Sequence, residues 1–323
     1  MADSIPAELT PAGVTPVKAT PAGAKSAGEV AARLPDVAAL AGALAATGYL
    51  AAEPLTTALF LSVRMGQPIL LEGEPGVGKT EAAKALAAVL DTPLIRLQCY
   101  EGLSAAEALY EWNYPRQLLG IRLAESRGEH LRDQDLFGAD YLLARPLLAA
   151  IEHPGPRPAV LLIDEVDRAD DEFEAFLFEM LAEASVTIPE IGTRRALAPP
   201  IVVLTSNRTR DLHDALRRRC LYHWIDYPSA TRVAEIIRRR VPAASDYLAR
   251  QVAETVARLR TLPLTKPPGI AEAINWTSAV RTLGLTALDA VSADATLGAV
   301  VKHAEDHDVV RASGLPALVG VHE

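Results

Sequence analysis

The sequence predicts an α/β fold followed by a smaller all-helical domain. Three continuous apolar runs, Ile69–Leu71, Ala159–Ile163 and Ile201–Leu204, are typical of strands that are buried on both faces in a parallel sheet. From Ser229 onward, apolar residues recur only at helical spacing. The chain of 323 residues is long enough for one large domain and a smaller one.

The organisation along the chain follows from composition. Residues 1–35 are rich in Ala, Pro, Thr and Gly and lack the basic start and apolar block of a signal peptide. We therefore expect a flexible tail there, an α/β domain over residues 36–228 and a helical domain over residues 229–323. The Ala/Leu-rich segment Val37–Val63 predicts one or two helices that lead to the first strand.

Charge, the length of apolar runs and cysteine spacing argue against several classes of protein. The chain carries 32 Lys and Arg against 41 Asp and Glu, a net charge of −9, which disfavours sequence-independent binding of nucleic acid. No apolar run approaches the roughly 20 residues that a membrane span needs. Cys99 and Cys220 are too far apart in sequence to form a metal-spaced pair, so we expect a reducing, cytoplasmic location.

The segment after the first strand fits the pattern G-x-x-x-x-G-K-[ST] at every fixed position. Its residues are Gly73, Glu74, Pro75, Gly76, Val77, Gly78, Lys79 and Thr80, and Glu81 follows in the predicted helix. Glycines allow successive backbone N–H groups to converge on one anion, and the N-terminus of the following helix adds partial positive charge. We expect Lys79 to reach the β- and γ-phosphates of a nucleotide and the Thr80 hydroxyl to bind Mg²⁺.

Polar residues end the next two buried strands. Asp164 lies where Mg²⁺ sits beside a phosphate loop, so we expect it to hold a metal-bound water. Glu165 should point elsewhere because side chains alternate along a strand, and it is the candidate base for an attacking water. Asn207 can orient a water against the γ-phosphate; the alternative is an Asn that only forms a turn.

Three consecutive arginines, Arg217–Arg219, precede the predicted strand Leu221–Ile225. They cannot all lie on one face of a helix, and their position indicates a sheet edge that faces a neighbour. An arginine supplied to another subunit's γ-phosphate would stabilise charge in the transition state. The alternative is a solvated basic run.

Other segments give weaker patterns. The aromatic cluster Tyr110–Tyr114 is either a partner surface or a local packing cluster. Ala139–Ile151 is expected to be helical, with Pro146 as a kink or a start. A hairpin is expected to turn near Gly192–Thr193, and a last helical segment to cover roughly Leu285–Ala304.

These motifs give the chain a family resemblance. Over roughly residues 45–285 it resembles the AAA+ ATPases of the MoxR branch, through GEPGVGKT, VLLIDEVDRA, VTIPEIG and IVVLTSN. Three longer stretches are similar to the CoxD-like accessory ATPases of molybdenum-containing carbon monoxide dehydrogenase: RLQCYEGLSAAEALYEWNYPRQLL, DEVDRADDEFEAFLFEML and LTSNRTRDLHDALRRRCLYHWIDYP.

The resemblance implies a fold and a site. It implies an αβα core with a five-stranded parallel sheet, a helical lid, and a ring that is usually a hexamer. It implies that ATP and Mg²⁺ are bound, that Asn207 is the first sensor, and that Arg219 or its neighbour Arg218 is the arginine finger. Related proteins often carry an Arg at the lid-helix position that corresponds to Gly269–Glu272, where this chain has none; Lys266 is nearby.

The resemblance also implies partners. An insertion within residues 102–125 is expected to face the pore of the ring, and a protein with a von Willebrand factor A domain and a metalloenzyme client are expected to bind. The leading hypothesis is an ATP-driven chaperone that remodels a client, for example to mature the metal site of a molybdenum hydroxylase. One alternative is a nucleic-acid-associated motor in which Arg194, Arg195 and Arg217–Arg219 contact phosphates. The other is a scaffold that binds ATP with little turnover.

Overall fold

The computed structural model describes residues 33–128 and 132–320. Residues 1–32, most of the predicted tail, lie outside the described residues, as do 129–131 and 321–323. In the described part of the chain, strands and helices both occur up to residue 225 and only helices follow.

The helices and strands have the following bounds. The strands are β1 (Ile69–Gly73), β2 (Leu94–Gln98), β3 (Tyr110–Trp112), β4 (Leu142–Ala144), β5 (Val160–Asp164), β6 (Ser185–Ile188), β7 (Gly192–Arg195), β8 (Ile201–Ser206) and β9 (Leu221–Ile225). The helices are α1 (Val37–Ala46), α2 (Glu53–Met65), α3 (Lys79–Leu90), α4 (Ala105–Leu109), α5 (Tyr114–Arg127), α6 (Asp133–Leu136), α7 (Pro146–Ile151), α8 (Asp171–Glu183), α9 (Asp214–Arg219), α10 (Ala230–Arg240), α11 (Asp246–Leu259), α12 (Ile270–Thr282), α13 (Ala290–Ala295), α14 (Leu297–Val300), α15 (Ala304–Ala312) and α16 (Leu315–Val319). None of these described helices has the length and apolar character that crossing a membrane requires.

Five strands form one parallel sheet in the order β2-β5-β8-β1-β9. β1 lies between β8 and β9, with Ile69 opposite Val203 on one side and Leu221 on the other. Because the strands are parallel, the carboxyl ends of β1, β5 and β8 meet at one edge of the sheet. The predicted α/β fold with a five-stranded parallel sheet is confirmed, and β9 is an edge strand.

The alternation of side chains along buried strands divides the core into two layers. β1 and β5 are buried at every position. Ile69 and Leu71 pack with residues of α1, α2 and α3 on one face, whereas Leu70 packs with residues of α4, α7 and α8 on the other. Period-two alternation with both faces apolar therefore gives an αβα sandwich.

The helical segment after residue 229 has its own core. Trp276 is fully buried there, and its Nε1 donates a 2.7 Å hydrogen bond to Thr296 Oγ1. The expected single helical segment over Leu285–Ala304 is wrong, because the chain forms α13 and α14 and begins α15. Asp289 caps α13 through Ser292, and the chain turns at Thr296, so that short helices bury apolar residues around Trp276.

Two other local expectations are wrong in part. Within Ala139–Ile151 only α7 is α-helical, because Leu142–Ala144 pairs with β3 as an antiparallel strand. Arg145 before Pro146 is extended, as the steric clash with a following proline favours. The hairpin turns at residues 189–191 and not at Gly192–Thr193, because Pro189 has no N–H for the ladder and β7 already begins at Gly192.

The aromatic cluster packs mostly inward. Trp112 is buried, and its ring meets Tyr110 at 5.8 Å and Phe137 at 5.2 Å, both edge-on. Tyr114 is exposed at the start of α5, and that helix also exposes Leu118, Leu119 and Leu123. Packing therefore explains Tyr110 and Trp112, whereas the exposed apolar residues of α5 are a separate surface within the expected insertion.

Candidate functional site

The phosphate-loop motif forms a tight turn between β1 and α3. Gly76 and Gly78 have φ angles of 79° and 99°, which residues other than glycine rarely adopt. Gly78 is the N-cap of α3, so the first N–H groups of a twelve-residue helix face the loop. This geometry is that of an anion-binding helix N-terminus.

Lys79 lies inside the turn and is only 7% exposed. Its Nζ donates to the carbonyls of Gly73 at 2.6 Å and Glu74 at 2.9 Å. Burial lowers the pKa of Lys79, and the nearby carboxylates of Asp167, Glu74, Asp164 and Glu165 oppose that shift. An ammonium has three N–H donors, so a third donor is available to a phosphate oxygen.

The structure brings Thr80 and Asp164 together. Thr80 Oγ1 lies 3.0 Å from Asp164 Oδ1 and 3.2 Å from Oδ2. The buried Asp164 carboxylate also accepts hydrogen bonds from Arg96 and from the Thr205 hydroxyl. A hydroxyl and one carboxylate fit Mg²⁺, which keeps several waters and otherwise binds substrate phosphates. No larger metal-binding cluster of His, Cys, Asp and Glu occurs among the residues that the structure describes.

Glu165 follows β5 in a left-handed conformation with φ 55°. Its N–H donates to Thr205 Oγ1 at 2.9 Å, and its carboxylate accepts hydrogen bonds from Gln98 Nε2 at 3.0 Å and Arg168 at 3.3 Å. The expectation that strand alternation directs Glu165 is wrong, because the residue lies past the strand end. The left-handed turn sets its direction, and both Asp164 and Glu165 line the same cavity.

Asn207 follows β8, and a buried carboxylate holds its loop. The Asn207 N–H lies 3.2 Å from both oxygens of Asp167. The Thr209 N–H and hydroxyl donate to Asp167 Oδ2 at 2.9 and 2.7 Å. Sequence reasoning missed Asp167; the available signal was a third acidic residue just after Asp164-Glu165.

The last three residues of α9 are arginines, and their side chains point in different directions. Arg217 binds Glu72 of its own chain. Arg219 donates to the carbonyl of Ala182 at 3.1 Å, and Arg218 is 84% exposed. None of the three lines the cavity that contains Lys79.

That cavity has a volume of about 800 Å³, which is within the range of ligand pockets. Lys79, Thr80, Asp164, Glu165 and Asn207 line it together with residues from α10 and α12. Tyr49 also lines it, and the Tyr49 hydroxyl donates to the Gly78 carbonyl at 3.4 Å. Burial raises the pKa of Tyr49, and the charge of Glu81 adds to this shift. The phosphate loop, the strand ends and the helical segment thus enclose one space.

The helical segment touches the phosphate loop through backbone. The Ile270 N–H donates to the Gly76 carbonyl at 2.9 Å, and a Cβ on Gly269 would lie 2.7 Å from Gly76 Cα. Glu272 accepts the Gly269 N–H at 3.0 Å, which caps α12. Lys266 does not line the cavity; its N–H donates to Asp306. Residues 269–272, which form this contact, contain no arginine.

Comparisons with known proteins show what the segment that carries these motifs is similar to. Residues 68–220 match the AAA domain of the dynein-related subfamily. The denitrification regulatory protein NirQ of Pseudomonas aeruginosa is 26% identical over 181 residues, 54% of this chain and 60% of that protein. NirQ of Stutzerimonas stutzeri is 26% identical over 206 residues, 61% of this chain and 65% of that protein. The chain therefore aligns with less than two thirds of the length of either relative.

Among solved structures, the Holliday junction branch migration motor RuvB of Thermotoga maritima is similar in fold. Its sequence is 18% identical, and the superposition covers 84% of this chain and 80% of RuvB with a TM-score of 0.46. A similarity at this level carries no argument about function. Residues 68–220, which hold the phosphate loop, the two strand-end carboxylates, Asn207 and the three arginines, are thus the part of the chain that matches an AAA domain.

Proposed function

We propose that this protein is an ATP-hydrolysing AAA+ ATPase of the MoxR/NirQ-like type that works as a ring. One observation carries the proposal: Lys79, the Thr80–Asp164 pair and Glu165 converge on one cavity of about 800 Å³. The match of residues 68–220 to an AAA domain supports the same reading.

Each group has a role in phosphoryl transfer. Lys79 and the N–H groups at the start of α3 bind the β- and γ-phosphates of ATP. Thr80 and Asp164 are the residues that would hold Mg²⁺, which neutralises charge on the phosphate oxygens when it is bound. The two oxygen-bearing side chains already lie 3.0 Å apart.

Glu165 accepts the proton of the attacking water. The hydrogen bonds from Gln98 and Arg168 fix its carboxylate beside the cavity. A base must lie within reach of the proton that it takes, and these contacts limit where the carboxylate can go. Asn207 positions the water, and Asp167 holds the loop of Asn207 in place.

The charge-completing arginine comes from an adjacent protomer. Arg218 and Arg219 both lie outside their own chain's cavity, at the end of the sheet where β9 forms the edge. An arginine supplied in trans typically contributes about 10³- to 10⁵-fold to turnover. Separation of the bound phosphates from the arginine couples hydrolysis to movement between protomers.

The client is a metalloenzyme, and the work done on it is remodelling for maturation of a metal site such as that of a molybdenum hydroxylase. A protein with a von Willebrand factor A domain is the proposed adaptor. The long stretches that resemble CoxD-like accessory ATPases support this proposal, and so does the similarity to a denitrification regulatory protein. The exposed leucines of α5 are the surface that we assign to client contact.

Phosphate release by the full chain with Mg²⁺ and ATP tests the ATPase. Glu165→Gln should retain ATP binding and reduce turnover at least ~100-fold, because general-base catalysis contributes ~10²- to 10⁴-fold. Glu172→Gln, at an exposed position on α8, is the matched control and should hydrolyse ATP like the wild type. Wild-type turnover by Glu165→Gln would contradict the assignment of the base.

The same assay separates the two alternatives. ATP binding without measurable turnover in the wild type would favour a scaffold. Stimulation by DNA that is lost steeply as salt rises would favour a nucleic-acid motor, because phosphate contacts release counterions.

A further inference from the structure

Glu72 is a buried carboxylate that the catalytic site does not use. It lies on β1 directly before Gly73, and it is 1% exposed. Nη2 of Arg217 donates to Oε1 at 2.8 Å and Oε2 at 2.9 Å, and the Tyr222 hydroxyl donates to Oε2 at 3.1 Å. Nε of Arg208 lies 3.8 Å from Oε2.

These contacts are the kind that a buried, charged carboxylate needs. A buried carboxylate is costly unless it is paired and hydrogen-bonded, and Glu72 is both. The hydrogen bonds between Arg217 and Glu72 raise the pKa of Arg217 above the ordinary value for arginine. Arg217 also lies over the ring of Tyr222, with its guanidinium carbon 5.9 Å from the ring centroid. The cluster Glu72, Arg208, Arg217 and Tyr222 therefore forms one network, which we call the Glu72 network.

The Glu72 network joins three parts of the site. Glu72 precedes the first residue of the phosphate loop, Arg208 follows Asn207, and Arg217 precedes the two candidate finger residues. Successive residues on a helix differ by about 100° in direction. Because Arg217 points inward to Glu72, Arg218 points outward and is 84% exposed. The Glu72–Arg217 pair is therefore one of the contacts that fix the rotation of α9, together with the buried side chain of Leu216.

We propose that Glu72 is a positioning residue that presents the arginine finger of α9 to the neighbouring protomer. Through it, the phosphate loop of one protomer is linked to the arginine which that protomer supplies to the next. The inference rests on the proposed ring ATPase and deepens it. Neither Glu72 nor Arg217 lines the cavity of its own chain. A defect in the pair should therefore impair the neighbour's ATP site and leave its own intact.

Mixed assemblies of full-length variants test this directly. Glu72→Gln alone should bind a fluorescent ATP analogue like the wild type but hydrolyse ATP about 100-fold more slowly, the loss expected for an arginine misplaced by about 1 Å. Mixed with Lys79→Ala, which keeps the finger but loses ATP binding, Glu72→Gln should recover turnover well above either variant alone. Mixed with the double variant Arg218→Ala/Arg219→Ala, it should recover nothing, because neither protomer then supplies a placed finger.

A reference mixture separates this proposal from the proposed function. Arg218→Ala/Arg219→Ala mixed with Lys79→Ala should recover turnover if the finger acts in trans; no recovery there contradicts the ring ATPase itself. If the reference mixture recovers turnover but the mixture of Glu72→Gln with Lys79→Ala does not, the proposed role of Glu72 is overturned and the ring ATPase is not.

A second variant covers the case in which Glu72→Gln does not fold. Arg217→Lys keeps the charge but removes the planar guanidinium, and it should behave like Glu72→Gln in every mixture. Arg238→Ala is the control, because its ion pair with Asp246 lies on the exposed surface and should not affect turnover. Loss of ATP binding in both Glu72→Gln and Arg217→Lys would show that the pair shapes its own phosphate loop, which would contradict the proposal.

Discussion

Gly269→Ala should weaken ATP binding, because the added methyl group would push the helical segment off the phosphate loop. The new Cβ would lie 2.7 Å from Gly76 Cα and 2.9 Å from the Gly76 carbonyl oxygen. Both neighbours are backbone atoms, so an ordinary contact of 3.4 Å requires a movement of about 0.7 Å. That movement would lengthen the 2.9 Å hydrogen bond from Ile270 N–H to Gly76 beyond bonding distance.

The magnitude follows from the hydrogen bond. A backbone hydrogen bond contributes about 1 kcal/mol net, which corresponds to about a fivefold weaker Kd for ATP. Gly269 has an ordinary φ of −86°, so the substitution adds no backbone strain of its own. Titration of the full chain with a fluorescent ATP analogue measures the change.

A matched substitution controls for the added methyl group. Gly298 lies in α14, also in the helical segment, and a Cβ there would meet its nearest neighbour only at 4.0 Å. Gly298→Ala should therefore bind ATP like the wild type. If Gly269→Ala also bound ATP with unchanged Kd, the backbone contact would have no part in holding the nucleotide.

Two further substitutions concern buried carboxylates. Asp167→Asn should lower the turnover number about tenfold with little change in the Kd for ATP, because a neutral amide holds the Asn207 loop less firmly. An unchanged turnover number would show that Asp167 does not support the position of Asn207. Asp306→Asn should lower the free energy of unfolding by about 1 to 3 kcal/mol, measured by urea denaturation near pH 7. Burial tends to raise the pKa of Asp306, but the N–H groups of Thr265 and Lys266 outweigh it and the net pKa is lowered. The stabilisation by Asp306 should thus be present above the unfolded pKa of about 3.9 and be lost as pH falls through the lower folded pKa. If the difference in free energy of unfolding between wild type and Asp306→Asn grew on acidification, this reasoning would be contradicted.

The fold could be predicted because its signals are local. β1, β5 and β8 each begin with a continuous apolar run, and each strand is buried throughout. The phosphate loop was also visible, since glycine, lysine and threonine at fixed spacing have few other uses. The three-residue strand Leu142–Ala144 was missed because its stability comes from pairing with β3, about 30 residues earlier in the chain.

Much of the site depends on contacts between distant residues. Gln98 reaches Glu165 across the neighbouring strands β2 and β5, and Arg217 reaches Glu72 from 145 positions away. Neither contact has a sequence pattern. Glu165 was placed by strand alternation, which stops applying once the chain leaves β5 with a positive φ. Long-range geometry therefore decides which polar residues support the catalytic ones.

The most direct test of the account is the rate of ATP hydrolysis per protomer, measured across a dilution series together with the assembled mass. In the presence of Mg²⁺ and ATP, we predict that turnover per protomer falls with dilution in step with the loss of the assembly, because in the proposed ring the adjacent protomer supplies the completing arginine. Isolated protomers that hydrolyse ATP at the full rate would contradict the account.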